Sequence, residues 1–332
     1  MPTTIRDVAK RAGVSISTVS RVLNNTAAVN EGKRERVMEA VRALDYVPNP
    51  AARSLLGQDT GGIGVLLPYV AGEYFSEFLT GMDYVAKDHG KFLLISTSHH
   101  ETKEWQAAVR TVNRRVDGLL VMAPQRTPRQ LNLDSWAPTV FVNTPVDPDT
   151  NAEFLNFDDH GGSAKAARHL VGLGHRHLAY VQGPEAAFDA SERLRGFADT
   201  VRGAGGRLTV IKGGFEQRDG FRAAEAIGTM RDRPTAVGCA NDYATLGLLS
   251  GLQQQGIAVP EDISLVGFDD LSPARFSNPA LTTVNVPIRE TGIRAIELVI
   301  RRALDGPTDR PVQEVIPLDL IVRASTAPPV KV

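Results

Sequence analysis

Apolar positions in the first two dozen residues recur at helical spacing. Ile5, Val8 and Ala9 fall at i, i+3 and i+4, the inward face of a short helix. Thr4 is placed to cap it, with Asp7 three residues on as an acidic variant of the capping box. Gly13 suits the stop, because a left-handed residue there costs glycine nothing. Ser15 then caps a second helix that turns Val19, Val22 and Leu23 inward and Ile16, Ser17, Ser20 and Arg21 outward. A third helix is predicted over Glu31–Leu44, capped by Asn30, with Val37, Met38, Val41 and Leu44 as its buried stripe. Two short helices meeting at a Gly-containing turn form a helix-turn-helix unit, and the outward groups of the second suit contact with base edges in a major groove. A helical hairpin with no such role has the same pattern.

From Gly62 onward the periodicity changes. The runs GIGVLLP, FLLISTS, DGLLVMA, TVFVN and EFLNFD read as short buried strands, as parallel strands do when both faces are covered. Helices are predicted between them at about 75–90 and 102–115. A second series, HLAYVQG, RLTVIKG, AVGCAND and SLVGFDD, alternates with helices near 161–174, 191–205, 218–230 and 243–256. One more amphipathic helix, Pro287 to Leu304, precedes VIPLDLIV. Two successive series of strand and helix predict two open, doubly wound α/β subdomains.

Between head and body lies Val47-Pro48-Asn49-Pro50-Ala51-Ala52-Arg53-Ser54-Leu55-Leu56-Gly57. Asn49 suits an N-cap, Pro50 a first helical position and Gly57 a stop. A helix of about two turns is marginal in water by itself. It is read either as a linker docked on the body or as a hinge that orders on a partner.

Composition is that of an ordinary globular chain of 332 residues with a formal net charge of −1. Distribution says more. Residues 1–57 hold nine Lys/Arg against five Asp/Glu, a surplus of four, while the remainder carries a deficit of five. A basic head on an acidic body is the footprint of a phosphate-binding module. Cys239 is the single cysteine, which excludes an intramolecular disulfide, and no zinc cluster is suggested. Neither an apolar leader core nor a membrane-length apolar run is found, so a cytoplasmic protein with no membrane partner is expected. Gly62-Ile63-Gly64 lacks the third glycine of a dinucleotide fingerprint; no P-loop or nucleophile elbow occurs. His99, His100 and Glu101 read as a solvated loop rather than metal ligands, and Trp105 and Trp136 as packing residues. No metal and no cofactor is expected.

The words TIRDVAKRAGVSISTVSRVLNN, continuing through VNEGKRERVMEAVRALDYVPNPAARSLLG and more loosely to the end, closely resemble the LacI/GalR family of transcriptional regulators. The resemblance implies an N-terminal all-α helix-turn-helix domain plus an α/β periplasmic-binding-protein-like body of two doubly wound subdomains. The expected boundaries are a DNA-binding domain over 1–47, a hinge helix over 48–60, one effector-binding subdomain over 61–158 plus 287–318, a second over 159–286 plus 319–327, and a tail over 328–332. It implies a homodimer on a near-palindromic operator in double-stranded DNA. Ile16, Ser17 and Arg21 would read bases, Thr18 and Ser20 hold phosphates, and Asn24 close the DNA-facing set. It also implies that Leu55 wedges into the minor groove, with Ala52 on the same face. No Leu-heptad tail is present, so a dimer rather than a tetramer is expected.

The candidate effector residues are polar or aromatic and follow strands, where ligands sit in open α/β sheets. They are Tyr74 and Phe75 after GIGVLLP, Asn143 after TVFV, Asp189 and Arg193 after HLAYVQGP, Phe215 after RLTVIKGG, Asn241 with Asp242 after AVGCA, and Asp269 after SLVGF; Asp158 is a weaker candidate. Rings stack on a ligand while carboxylates, amides and a guanidinium take its hydroxyls. Each has a plainer reading: an Asp after a strand often caps a helix, Phe215 fits a core, and Arg193 has acidic neighbours. The resemblance raises Arg193 and Asp269, through the GFAD and VGFDD words around them. The wording departs from the family at Tyr69–Phe75, which lacks the common Asp…Asn-Pro pattern, and at Phe188-Asp189, where small hydroxyl residues are frequent. A sugar is the expected effector and a purine-like ligand the alternative. An α/β enzyme or solute receptor is the remote reading: the cleft offers carboxylates but no supporting catalytic constellation.

Overall fold

The computed structural model describes residues 3–24, 29–46, 60–97, 102–112, 115–125, 128–131, 137–147, 150–306 and 308–330. The expected hinge, with Ala52 and Leu55, lies outside the described residues but for Thr60, and so do Trp136 and the His99–Glu101 loop. The chain forms two compact units, Met1–Thr60 and Gly61–Val332.

In the first unit, α1 is Ile5–Ala12, α2 Ile16–Asn24 and α3 Glu31–Ala43. The Asp7 carboxylate accepts the Thr4 backbone N–H (2.9 Å) and the Thr4 hydroxyl (2.7 Å). Gly13 ends α1 in the left-handed region, φ 62°, its N–H on the Ala9 carbonyl. Ser15 Oγ accepts the Thr18 N–H (3.2 Å) and starts α2. Val8, Ala9, Ala12, Val19, Val22, Val37 and Ala40 make the core. Met38 is a correction: it is 37% exposed, and Ala40 is buried instead. Val37, Ala40, Val41 and Leu44 are spaced i, i+3, i+4, i+7, and Met38 stands one position, about 100°, off that stripe.

The second unit holds two six-stranded sheets. The first runs β2-β1-β3-β4-β5-β11, from β1 (Gly62–Leu67), β2 (Phe92–Thr97), β3 (Gly118–Met122), β4 (Thr139–Val142), β5 (Glu153–Phe157) and β11 (Gln313–Ile316). The second runs β7-β6-β8-β9-β10-β12, from β6 (His177–Val181), β7 (Arg207–Ile211), β8 (Ala236–Cys239), β9 (Ser264–Asp269), β10 (Thr282–Asn285) and β12 (Asp319–Ile321). All pairings are parallel except β12 with β10. The first sheet carries α4 (Glu73–Asp88), α5 (Thr102–Val112) and α6 (Pro128–Leu131); the second carries α7 (Asp159–Gly172), α8 (Phe188–Gly203), α9 (Gln217–Gly228), α10 (Asp242–Gln254) and α11 (Ser272–Phe276). Finally α12 (Ile288–Asp305) packs on α4. The chain therefore passes between sheets after Phe157, after Asn285 and again at Pro317-Leu318.

VIPLDLIV is two strands in different sheets, split at Pro317, which has no N–H for a ladder. Two strand readings change. β10 adds a strand where Thr282 and Thr283 interrupt the apolar run. β2 and β7 are edge strands and partly exposed, whereas β1, β3, β8 and β9 are buried throughout. Trp105 is 4% exposed, packed beneath the first sheet with Val109 and Phe141.

Candidate functional site

In the head, burial of Val19 and Val22 fixes which side of α2 faces out. Ile16 is 44% exposed, and Ser17 and Arg21 are exposed beside it. Ser15 Oγ is 2.8 Å from both Ser17 Oγ and Thr18 Oγ1, so the cap also orders the hydroxyls of the first turn. Thr18 and Ser20 are half-buried at the flanks; Asn24 is the last residue of α2. An apolar contact, small hydroxyls and a guanidinium can meet a thymine methyl, phosphates and a guanine edge.

In the body, both sheets point the carboxyl ends of their strands at one cluster. Its centre is Arg193 on α8, 2% exposed. Its Nε donates to Asp159 Oδ1 at 2.7 Å. Nη1 donates to the Ala240 carbonyl at 2.8 Å and Asp269 Oδ1 at 3.2 Å, and Nη2 lies 4.0 Å from Asp189 Oδ2. The guanidinium carbon stands 3.8 Å from the centre of the Phe268 ring, a cation–π contact. Gly196, one turn further along α8, allows this approach: a Cβ there would meet the His160 carbonyl oxygen of α7 at 2.1 Å.

The other sheet contributes neutral groups. Asn143 Nδ2 donates to Asp189 Oδ2 at 3.2 Å, joining the two subdomains. Tyr69 and Phe75 meet edge to face with centroids 4.6 Å apart, and Tyr74 and Phe75 at 5.2 Å. The Tyr74 hydroxyl and Asp159 Oδ2 are buried with no hydrogen-bond partner. Asn143 (φ 45°) and Asp269 (φ 108°) both take left-handed backbone at strand ends, strain that concentrates at functional sites.

Electrostatics follows from three carboxylates around one guanidinium. Burial raises Asp159 to about 7; Arg193 opposes that rise, and Asp189 and Asp269 add to it. Asp269 is likewise raised to about 7 by burial, against Arg193 and with Asp189. Burial lowers Arg193, but Asp159, Asp269 and Asp189 outweigh it, so the guanidinium holds its proton more firmly than usual. Burial also lifts the Tyr74 hydroxyl well above the phenol range, and lifts Tyr69 to about 12.

The structure thus brings together Tyr74, Phe75, Asn143, Asp189, Arg193 and Asp269. Phe215 is half-buried beside Gly183. Asn241 uses both ends of its amide inside the protein: Oδ1 accepts Ala244 N–H to cap α10, and Nδ2 donates to the Phe215 carbonyl. Asp242 takes the Leu271 N–H and the Thr283 hydroxyl. Asp158 caps α7 through the Gly161 N–H. Sequence reasoning missed its neighbour Asp159, and Phe268 and Tyr69. A signal existed for the first two: Phe-Asp-Asp closes both β5 and β9, at Phe157–Asp159 and Phe268–Asp270.

A second link crosses the cleft. The first N–H of α4, from Glu73, donates to Tyr243 Oη at 3.0 Å, while Glu73 Oε1 accepts the Ser272 N–H (2.9 Å) and hydroxyl (2.6 Å). Gly72 has no side chain to cap α4, so the cap comes from the other subdomain.

The family model "Bacterial regulatory proteins, lacI family" matches residues 4–49, and "Periplasmic binding protein-like domain" matches 167–326. The chain is 35% identical to the HTH-type transcriptional repressor PurR of Vibrio vulnificus (strain CMCP6), over 96% of this chain and 97% of that protein. It is 32% identical to the protein of the same name from Mannheimia succiniciproducens, over 97% and 98%. Among solved structures it resembles the lac repressor dimer bound to operator and the anti-inducer ONPF, with TM-score 0.86 and 28% identity over 98% of this chain and 100% of that one. The CelR–cellobiose complex gives TM-score 0.72 and 28% identity, over 97% and 99%.

Proposed function

Since the chain belongs to the LacI family of bacterial regulatory proteins, and is a DNA-binding regulator that responds to a ligand in its α/β body, we propose that it is a cytoplasmic, homodimeric repressor. In this reading residues 1–47 bind operator DNA, 48–60 form the hinge, and the cleft around Arg193 holds the effector. The observation that carries it is the outward face of α2: Ile16, Ser17 and Arg21 stand exposed on a helix anchored by Val19 and Val22. Two such helices in a two-fold dimer would read a near-palindromic site. Exposed Phe276 and Tyr84 on the body are apolar groups that a second copy would cover. The lac repressor relative supports the dimer and the operator.

The effector class we propose is a sugar. Carboxylates, an amide and a guanidinium converge beside aromatic faces, and CelR was solved with cellobiose. A flat purine-like heterocycle is the second reading, favoured by the half-buried rings of Tyr69 and Phe215, which offer stacking surfaces. Closing the cleft on either ligand would shift the hinge and so the DNA affinity, and DNA would alter ligand affinity by the same factor.

Selection from a random DNA pool with the full-length protein, near physiological salt, tests the reading; an enriched two-fold symmetric site is expected. On that site Arg21→Ala is expected to cost about 1–3 kcal/mol and to relax one position in each half. An equal loss on random DNA would make Arg21 a phosphate contact. Absence of enrichment with and without sugars and purines would refute the repressor.

A further inference from the structure

The cluster around Arg193 is out of electrical balance. Asp159 from α7, Asp189 from α8 and Asp269 at the end of β9 all face a single guanidinium, and each is buried. Among the described residues no other cation is ion-paired with any of the three. The opposing subdomain brings Tyr69, Tyr74, Phe75 and Asn143, none of which is positive. With every carboxylate ionised the site holds two negative charges in excess.

The imbalance is joined by unmet hydrogen bonding. Asp159 is 2% exposed, yet only Oδ1 is engaged; Oδ2 is buried without a partner. The Tyr74 hydroxyl, which feels the charges of Asp269, Arg193, Asp189 and Asp159, is buried and unpartnered too. A buried polar atom without a partner is costly, and two of them lie in this one cluster. Asp159 Oδ2 is a vacant acceptor, the Tyr74 hydroxyl a vacant donor and acceptor, and the missing charge is positive. A metal ion is the wrong cation: among the described residues, no three His, Cys, Asp or Glu are arranged to hold one. Neutral hydroxyls would fill the hydrogen bonds and leave the charge. An ammonium supplies the charge and a donor to Asp159 Oδ2, a hydroxyl on the same molecule can accept from Tyr74, and the neighbouring aromatic faces suit the cation as well.

We propose that the effector is a sugar bearing a protonated amine, held by Asp189 and Asp159, and that the same charge excludes sugar phosphates. This rests on the cleft being the effector site. Asp189 is the discriminating residue, because it adds the third carboxylate and, through Asn143, ties the ligand's charge to closure of the two subdomains.

The test is a thermal-melt panel on the full chain at pH 7. It compares the 2-amino-2-deoxy, parent and 6-phosphate forms of glucose, galactose and mannose, on wild type, Asp189→Asn and Arg193→Ala. At least one amino sugar should raise the midpoint, the phosphates should not, and Asp189→Asn should weaken the amino sugar at least ten-fold. Parent or phosphorylated sugars that match or exceed the amino forms, or amino forms that all leave the midpoint unmoved, would overturn the proposal. Shifts insensitive to both substitutions would place the ligand elsewhere and remove the cleft reading itself. Shifts by neutral sugars that Arg193→Ala abolishes would keep the cleft and refute only the amine. One readout needs no ligand: Asp189→Asn should raise the midpoint of the free protein, since it discharges the cluster while Asn143 can turn its amide to keep the bond. A lowered midpoint would show Asp189 to be a structural partner of Arg193 and would also sink the idea.

Discussion

The two subdomains are wound alike and equipped differently. Each sheet has the order second, first, third, fourth, fifth strand, so each presents the carboxyl ends of its strands to the same cleft. The second subdomain supplies every charge in the cluster: Asp159, Asp189, Arg193 and Asp269. The first supplies neutral groups, Tyr69, Tyr74, Phe75 and Asn143. Topology decides where a site forms; a few residues at the strand ends decide what it does. The division also separates labour. The ion pairs of this charged floor lie within one subdomain, and the neutral half can approach or withdraw without breaking any of them.

The sharpest way to break this comparison is to remove the floor's cation. Arg193→Ala leaves three buried carboxylates around an empty place, and breaking a buried ion network from one side costs about 3–5 kcal/mol. Denaturant unfolding of the body should show a loss of that size. Arg193→Lys should recover only part of it, because an ammonium cannot reproduce the fork that reaches Asp159, Ala240 and Asp269 together. A loss below about 1 kcal/mol for Arg193→Ala would mean that the carboxylates neutralise one another by taking up protons, and that the floor is not an ionic one.

The protons themselves can be counted next. Asp159 is raised to about 7 in the folded chain, chiefly by burial, from an ordinary value of 3.8. The folded state therefore binds this proton more tightly than the unfolded one. Stability is fully present below pH 3.8 and declines as pH rises from there towards 7. Asp269 (raised to about 7), Asp189 and Arg193 share the site, so the decline belongs to the group rather than to one residue. Between pH 5 and 8, wild type should lose on the order of 2 kcal/mol relative to Asp159→Asn, which cannot titrate. The comparison is made by denaturant melts of both proteins across that range. Parallel pH profiles would show Asp159 to be ionised throughout, fully paired with Arg193.

Much of this site was legible from the sequence, and the gaps have physical causes. Tyr74, Phe75, Asn143, Asp189, Arg193 and Asp269 were found as polar or aromatic types that follow strands, Arg193 and Asp269 with the added weight of the family resemblance, and the structure brings all six together. The rule cannot say which of two adjacent residues faces in. At Asp158-Asp159 the first caps α7 and the second meets Arg193; at Asp269-Asp270 the first meets Arg193. Helix capping and strand-end geometry make that choice, and residue type cannot tell two adjacent aspartates apart. Asn241 has the right type and position, but its amide is consumed as a cap. Phe268 reads as core and is core, yet its face carries the guanidinium.

The smallest predicted effect concerns the joint between the halves. Tyr243 accepts the first N–H of α4 across the cleft, where Gly72 offers no cap of its own. When the halves separate, that N–H passes to water, so the bond favours the closed form without adding to the stability of either half. One hydrogen bond of this kind is worth about 1 kcal/mol. Tyr243→Phe should therefore shift the closed-to-open ratio about five-fold towards open and leave denaturant stability within about 0.5 kcal/mol. Small-angle scattering of the ligand-free protein should record a larger radius of gyration, and Glu73→Ala, which frees Ser272, should act in the same direction. An unchanged radius in both variants would mean that the charged floor and its bond to Asn143 govern closure unaided, and that the neutral half has no independent grip on the cleft.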